Sequence, residues 1–391
     1  MSRFAILSTM ASRTRRRPVA DRRLRSAAVA AVAAVAATAT AAVLGIGLGT
    51  AWAAGPERSA TGVGTTTGMG VQFQAFWSNY TDAERIAVLD RLKAAGVKSV
   101  RIDISWAMLQ PHGPGSYDAW GVSFADRIVA MANQRGIRPL MTLWLTPAWA
   151  NQSRGARALP TNVADYARAA QWAAARWRGK VVGWEIWNEQ NNNRFMATAD
   201  PAAYVRLLRA AYPVIHAADP STTVVFGGLE YNDDTWLTRA YAAGAHGYFD
   251  AIGTHPYMGV ADSTPNKADD GTKWTLMHAA AVHRLMVSKG DGAKSIWFTE
   301  MGWSTHPNAA ATPNWLRGVS ETTQATYLTE TARLIHSQLP YVTRLYWYTE
   351  KDTTTGDIQY NNYGLLRQDL TPKPALYALA AVNAAAPASI D

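Results

Sequence analysis

Eight short runs rich in β-branched and aromatic residues, each followed by a stretch with helical periodicity, constrain the fold of this chain more than any other feature. The runs are Met69–Phe76, Val97–Trp106, Ile137–Leu145, Val181–Asn188, Thr223–Leu229, Ala251–Tyr257, Ser295–Thr299 and Thr343–Tyr348. Eight strand-then-helix units predict an α/β protein built as one closed (β/α)8 TIM barrel over residues 69–391, with Lys373–Ala385 as the last helix. An open doubly wound sheet fits less well, because no glycine-rich phosphate loop follows the first run. Helix ends are readable. Thr81 can cap a backbone N–H that Glu84 reciprocates, and Asp200-Pro201 pairs a capping carboxylate with proline at the first helical position. Ile86, Leu89 and Leu92 mark the expected buried face of the first helix, and Gly96, Gly136, Gly179 and Gly290 stand where helices should stop. The connections after runs six to eight (Met258–Thr272, Ser304–Ser320, Lys351–Tyr363) are long and polar, and in a barrel they rim the face where chemistry is done.

The N-terminus is of another kind. Residues 1–53 contain an arginine-rich start, an uncharged run from Ser26 to Thr50 and the small-x-small sequence Ala51-Trp52-Ala53, the three parts of an export signal. The expectation is a cleaved signal followed by a flexible lead-in over 54–68 and a secreted protein, by the Sec or the twin-arginine route. The competing reading is a retained membrane anchor; weakly apolar alanine and the cleavage sequence favour removal, and with it no stable membrane association. Of 38 basic and 29 acidic residues, this segment holds eight Arg and one Asp, so the formal charge of +9 falls to 30 bases against 28 acids. No basic stripe survives for nucleic acid. The chain lacks cysteine, which excludes disulfides, thiolate nucleophiles and cysteine zinc sites. Its sixteen Trp suit either core packing or stacking of sugar rings.

Two strand tips carry the chemistry. Run four ends in Glu185-Ile186-Trp187-Asn188-Glu189, and run seven ends in Trp297-Phe298-Thr299-Glu300. In a closed ring both glutamates reach the same mouth, where two carboxylates can flank one bond. Glycosidic cleavage requires such a pair, because the leaving oxygen is protonated while charge builds at the sugar carbon.

These residues give the chain its resemblance to glycoside hydrolase clan A, whose members share the barrel with Asn-Glu ending strand four and Glu ending strand seven. The wording around Glu189 is most similar to family 39, with family 5 next, and the resemblance covers about Met69 to the C-terminus. It implies a retaining glycosidase acting on a poly- or oligosaccharide, with Glu189 as acid/base and Glu300 as nucleophile. It also implies that Asn188 bonds the sugar 2-hydroxyl, that His255 and Tyr257 orient the carboxylates, that Arg101 pairs with the nucleophile and that Trp347 floors the cleaved sugar. Trp144 is a further candidate sugar contact. Many family 39 enzymes append a β-sandwich, whereas the last element expected here is the helix Lys373–Ala385.

Other readings need weighing. Glu185, four residues before Glu189, should lie about 13 Å deeper and serve as a buried structural acid. Glu230 and Glu350 read as rim charges or substrate contacts, with rim charge or structural pairing preferred because charged residues usually stay solvated. Trp77, Trp106, Trp144, Trp149 and Trp303 could form sugar subsites, with core packing as the default. His112 and His306 show no metal-ligand spacing, so neither metal nor cofactor is expected. A serine hydrolase lacks its Gly-x-Ser-x-Gly elbow. The rival from another class is a catalytically silent glycan-binding barrel, which would lack one of the carboxylates. The expected assembly is a monomer.

Overall fold

In the computed structural model, residues 68–76, 80–354 and 357–386 are described. The expected export signal and most of the lead-in, together with Trp77, lie outside them. The strands close in sequence order into one parallel barrel, β1-β2-β3-β4-β5-β6-β7-β8, with β1 hydrogen-bonded to both β2 and β8. The order along the chain is β1 (Gly70–Gln72), α1 (Asp82–Ala94), β2 (Ser99–Ser105), α2 (Trp106–Leu109), α3 (Ala119–Asn133), β3 (Arg138–Trp144), α4 (Val163–Arg176) and β4 (Gly183–Asn188). It continues with α5 (Pro201–Ala218), β5 (Thr223–Glu230), α6 (Asp234–Ala242), β6 (Ala251–His255), α7 (Ala279–Ser288), β7 (Ser295–Met301), α8 (Glu321–Gln338), β8 (Val342–Trp347) and α9 (Pro374–Ala385). Among the described residues, no helix is long and apolar enough to cross a membrane.

Local chemistry explains most element ends. Thr81 and Glu84 form the reciprocal cap of α1, and Asp200 accepts from Ala202 N and Ala203 N ahead of Pro201. The four expected stop glycines all take left-handed φ, between 69° and 83°. β6 ends at His255 because Pro256 has no N–H for the ladder. One face differs from expectation: α1 buries Arg85, Val88, Leu89 and Leu92, while Ile86 is 37% exposed. Arg85 takes its place by donating to Ala75 O and lying 4.9 Å over the Phe124 ring.

Two apolar assemblies hold the ring. The larger fills the space between strands and helices. The smaller joins Leu140, Val225, Ala251, Trp297 and Tyr346, one residue each from β3, β5, β6, β7 and β8. Strand alternation places Thr142, Glu185, Gly253, Thr299 and Tyr348 on the same inward face, two residues nearer the C-terminal mouth, and an irregularity in β5 turns Gly228 toward it. The polar layer of the site is therefore set by register above an apolar floor.

Candidate active site

Arg101 on β2 is fully buried and acts as the hub of this layer. Its Nε donates to Glu185 Oε2 at 2.7 Å, Nη1 to Gln72 Oε1 at 2.8 Å and to Glu300 Oε1 at 2.6 Å, and Nη2 to Asn188 Oδ1 at 2.7 Å. One guanidinium thus ties β1, β4 and β7 together, a use its rigid fork permits and a lysine would not. Burial alone would lower its pKa, but Glu185, Asp103 and Glu300 more than offset that and hold the charge firmly. Glu185 also accepts from Thr142 Oγ1 at 2.6 Å and Gly228 N at 3.0 Å, so it is the buried structural acid its depth predicted.

Glu300 is held from two sides, its Oε2 accepting from Tyr257 Oη at 3.2 Å. Burial raises its pKa, which His255 and Arg101 oppose. Glu189 lies at the tip of β4, where Trp187 and Glu189 both adopt left-handed backbone, φ 72° and 45°. Such residues cost on the order of 1–3 kcal/mol each and persist only where surroundings enforce them. Here β5 does so: Glu189 N donates to Gly228 O at 2.9 Å, Gln190 Nε2 to Gly227 O at 2.7 Å, and Asn191 bonds both backbone groups of Glu230. Burial first, and the Glu230 charge second, push the Glu189 carboxyl up to about 8.

His255 joins the two acids. Its Nδ1 is 2.8 Å from Glu189 Oε1 and 3.8 Å from Glu300 Oε2, while Nε2 lies 3.1 Å from Thr299 Oγ1. Burial lowers its pKa and favours the neutral ring. The imidazole fits only because β5 carries Gly228, where a Cβ would stand 2.1 Å from His255 Nε2. Ligand atoms of Glu189, His255 and Glu300 all lie within 4.8 Å of one another. That spacing could hold a cation, but Arg101 already occupies one oxygen of Glu300, and its charge disfavours a metal there.

The structure brings together Glu189, Glu300, Asn188, His255, Tyr257 and Arg101. It does not do so for the two tryptophans. Trp347 is fully buried and points outward, 5.8 Å from the Trp303 ring, so it presents no face to a sugar. The expected floor is corrected to its neighbour Tyr348, half-buried on the inward face, with Gln74 Nε2 donating to its hydroxyl at 2.8 Å. Tyr348 meets Tyr257 and Tyr363 edge-on, at 6.3 and 5.3 Å. Trp144 is buried edge-on against Trp187. Trp106 and Trp303 are core as well, and Trp149 is half-buried. Glu350 is a structural partner, accepting from Gln74 N and Tyr80 Oη, whereas Glu230 stands beside Glu189 as a charge. Sequence reasoning missed Gln72, Asp103, Thr299 and the exposed aromatics Trp274, Trp315 and Tyr360, which lie within or just beyond the long loops it had placed at the rim.

A closed parallel barrel with two strand-tip glutamates, one arginine-paired and one histidine-paired, is the arrangement that the clan A resemblance implies. The chain belongs to the cellulase family, glycosyl hydrolase family 5, whose model matches residues 59–331. Family 5, second in the sequence resemblance, is thus the family shown, and family 39 appears among the structural neighbours. A family 39 glycoside hydrolase from the gut symbiont Bacteroides cellulosilyticus WH2 superposes with a TM-score of 0.66 at 24% identity, over 82% of this chain and 64% of that one. GH5_18 from Streptomyces cattleya does so with a TM-score of 0.60 at 20% identity, over 82% and 80%. Beta-glucosidase 17 of Arabidopsis thaliana is 30% identical over 104 residues, 26% of this chain and 20% of that protein. The chain therefore spans only about a fifth of the length of such curated relatives.

Proposed function

We propose that this enzyme cleaves a β-glycosidic bond of a poly- or oligosaccharide with net retention, Glu300 attacking the anomeric carbon and Glu189 protonating the departing oxygen. The observation that carries the reading is the unlike environments of two carboxyls whose oxygens approach within 4.8 Å. That spacing suits the retaining class, at about 5–5.5 Å, better than the inverting class, at roughly 6.5–9.5 Å, which needs room for a water. Arg101 and Tyr257 supply donors to an ionised Glu300. Glu189, pushed up to about 8, carries a proton at neutral pH.

The hydrogen bonds also direct that proton. If Thr299 donates to His255 Nε2, His255 must donate from Nδ1 to Glu189 Oε1, which leaves the acid's proton on Oε2 for the leaving group. Once Glu300 is esterified its negative charge is gone, and Glu189 turns acidic enough to deprotonate water for the second half-reaction. The β-glucosidase relatives and the exposed rim aromatics Trp274, Trp315 and Tyr360 support a β-linked substrate. The leader further supports export and action on extracellular glycans.

Proton NMR of the sugar released in the first minutes tests the mechanism. Retention gives the β-anomer before mutarotation; the α-anomer appearing first would assign an inverting reaction and overturn it.

A further inference from the structure

Among the carboxylates of the barrel mouth, Asp103 has no part in the chemistry above. It sits two residues beyond Arg101 on β2, so it shares the inward face and lies roughly 7 Å nearer the mouth. Its side chain is 17% exposed. Oδ2 accepts from Gln72 Nε2 at 3.2 Å. Oδ1 is buried and, among the described residues, has no hydrogen-bond donor; Arg101 Nη1 stands 3.6 Å away, beyond bonding reach.

Its charge helps hold that of Arg101, but this counter-ion role leaves Oδ1 without a donor. Arg101 already donates to Glu185, Glu300, Gln72 and Asn188. A further carboxylate beside Glu185, Glu189 and Glu300 adds repulsion, and a buried oxygen without a donor costs stability. A ligand that supplies the missing donor would relieve that cost. The ligand of this mouth is a sugar, whose hydroxyls donate, and an ionised carboxylate only accepts.

We propose that Asp103 is a substrate-binding residue for the glycone, the sugar bearing the cleaved bond, accepting hydrogen bonds from its ring hydroxyls and selecting a neutral sugar over a uronic acid. The inference rests on Glu189 and Glu300 as the reacting pair, because it places the glycone over Arg101 and Glu300. A uronate in that position would bring a second anion against Asp103, an unfavourable contact that works as discrimination. Gln72, bonded to both Arg101 and Asp103, keeps the acceptor fixed to the nucleophile's own support.

The test uses 4-nitrophenyl β-glycosides: glucoside, galactoside, mannoside, xyloside, the glucuronide, and monodeoxy analogues of the fastest neutral substrate. The wild-type enzyme should favour a neutral glycoside over the glucuronide by at least tenfold in kcat/KM. Asp103→Asn keeps the shape and Gln72's partner position but removes the charge. It should lose roughly ten- to hundredfold on the neutral glycoside, the scale of a hydrogen bond to a charged group. On the one deoxy analogue lacking the contacted hydroxyl it should lose little, and its neutral-to-glucuronide ratio should fall. Equal losses on every glycoside, or a wild-type preference for the glucuronide, would overturn the proposal, the second without any variant. Failure of the underlying reading looks different: Glu300→Gln would keep its activity whatever the ranking of sugars.

Discussion

Glu189 and Glu300 stand three strands apart around one ring and share a side-chain chemistry, yet the protein supports them by opposite means. Glu300 lies within β7, and donors meet both its oxygens, a guanidinium at 2.6 Å and a phenol at 3.2 Å. Glu189 hangs from a strained strand tip, φ 45°, and its one short side-chain contact is an imidazole that burial keeps neutral. The difference teaches that identity of residue decides little about role here. On β7 a guanidinium and a phenol donate to a carboxyl whose pKa burial raises against Arg101 and His255, while on β4 burial and the Glu230 charge push the acid up to about 8.

The strongest way to break this comparison is to neutralise each acid in turn. Glu300→Gln should lower kcat by roughly 10⁴-fold or more on every substrate, because no other group can form the covalent bond. Its thermal midpoint should stay near that of the wild type. Glu189→Ala should lose about 10²–10⁴-fold on natural glycosides but far less on aryl glycosides, whose leaving groups need no proton. Kinetics on a matched pair of such substrates checks both variants. If the two variants lost equally on both substrates, the division of labour would be wrong.

How much of this could be read from sequence depends on the length scale. Eight alternating units specify the ring, and the ring brings two strand tips together. The depth of Glu185 followed from strand rise alone. What sequence could not settle is which member of an adjacent pair faces inward. Trp347 and Tyr348 differ by one position, and one position reverses the face. The pairing of β7 with β8 also shifts register between Phe298 and Met301, an irregularity no periodicity reveals. Gly228 was visible as half of a glycine pair in a strand, which signals close approach, but what approaches is an imidazole from the next strand. Thr299 and Asp103 are ordinary strand residues until the closed barrel puts a histidine against one and an arginine beside the other.

A smaller effect sharpens the comparison through pH. The folded-state pKa of Glu189, about 8, lies above its ordinary 4.5, so the folded protein keeps a proton that the unfolded chain has released across that window. The resulting stability is fully present below pH 4.5 and is lost as pH rises through about 8. Glu189→Gln cannot ionise, and relative to it the wild type should lose on the order of a few kcal/mol between pH 5 and 9. Burial raises Glu300 too, with the same sign, but that contribution is common to both proteins and cancels. Denaturant unfolding at several pH values measures the difference. Parallel stability curves would show that Glu189 titrates normally, and the protonated acid would have to be sought elsewhere. Activity should fall over the same alkaline range, as the acid loses its proton.

The smallest effect concerns only where that proton points. Thr299→Val removes the hydroxyl opposite His255 Nε2 while keeping the side-chain volume. With that hydroxyl as donor, the tautomer carries hydrogen on Nδ1 and the Glu189 proton lies on the oxygen away from the ring. Without it the imidazole can carry its hydrogen on Nε2 and accept the Glu189 proton at Nδ1, tying up the acid in a fraction of molecules. The cost should be roughly threefold to tenfold on natural glycosides, the scale of one neutral hydrogen bond. It should nearly vanish on activated aryl glycosides, and the thermal midpoint should change little. A loss of equal size on both substrates would locate the damage at the nucleophile, which Thr299 precedes in the chain. Thr299 would then support the β7 side of the site rather than the β4 side.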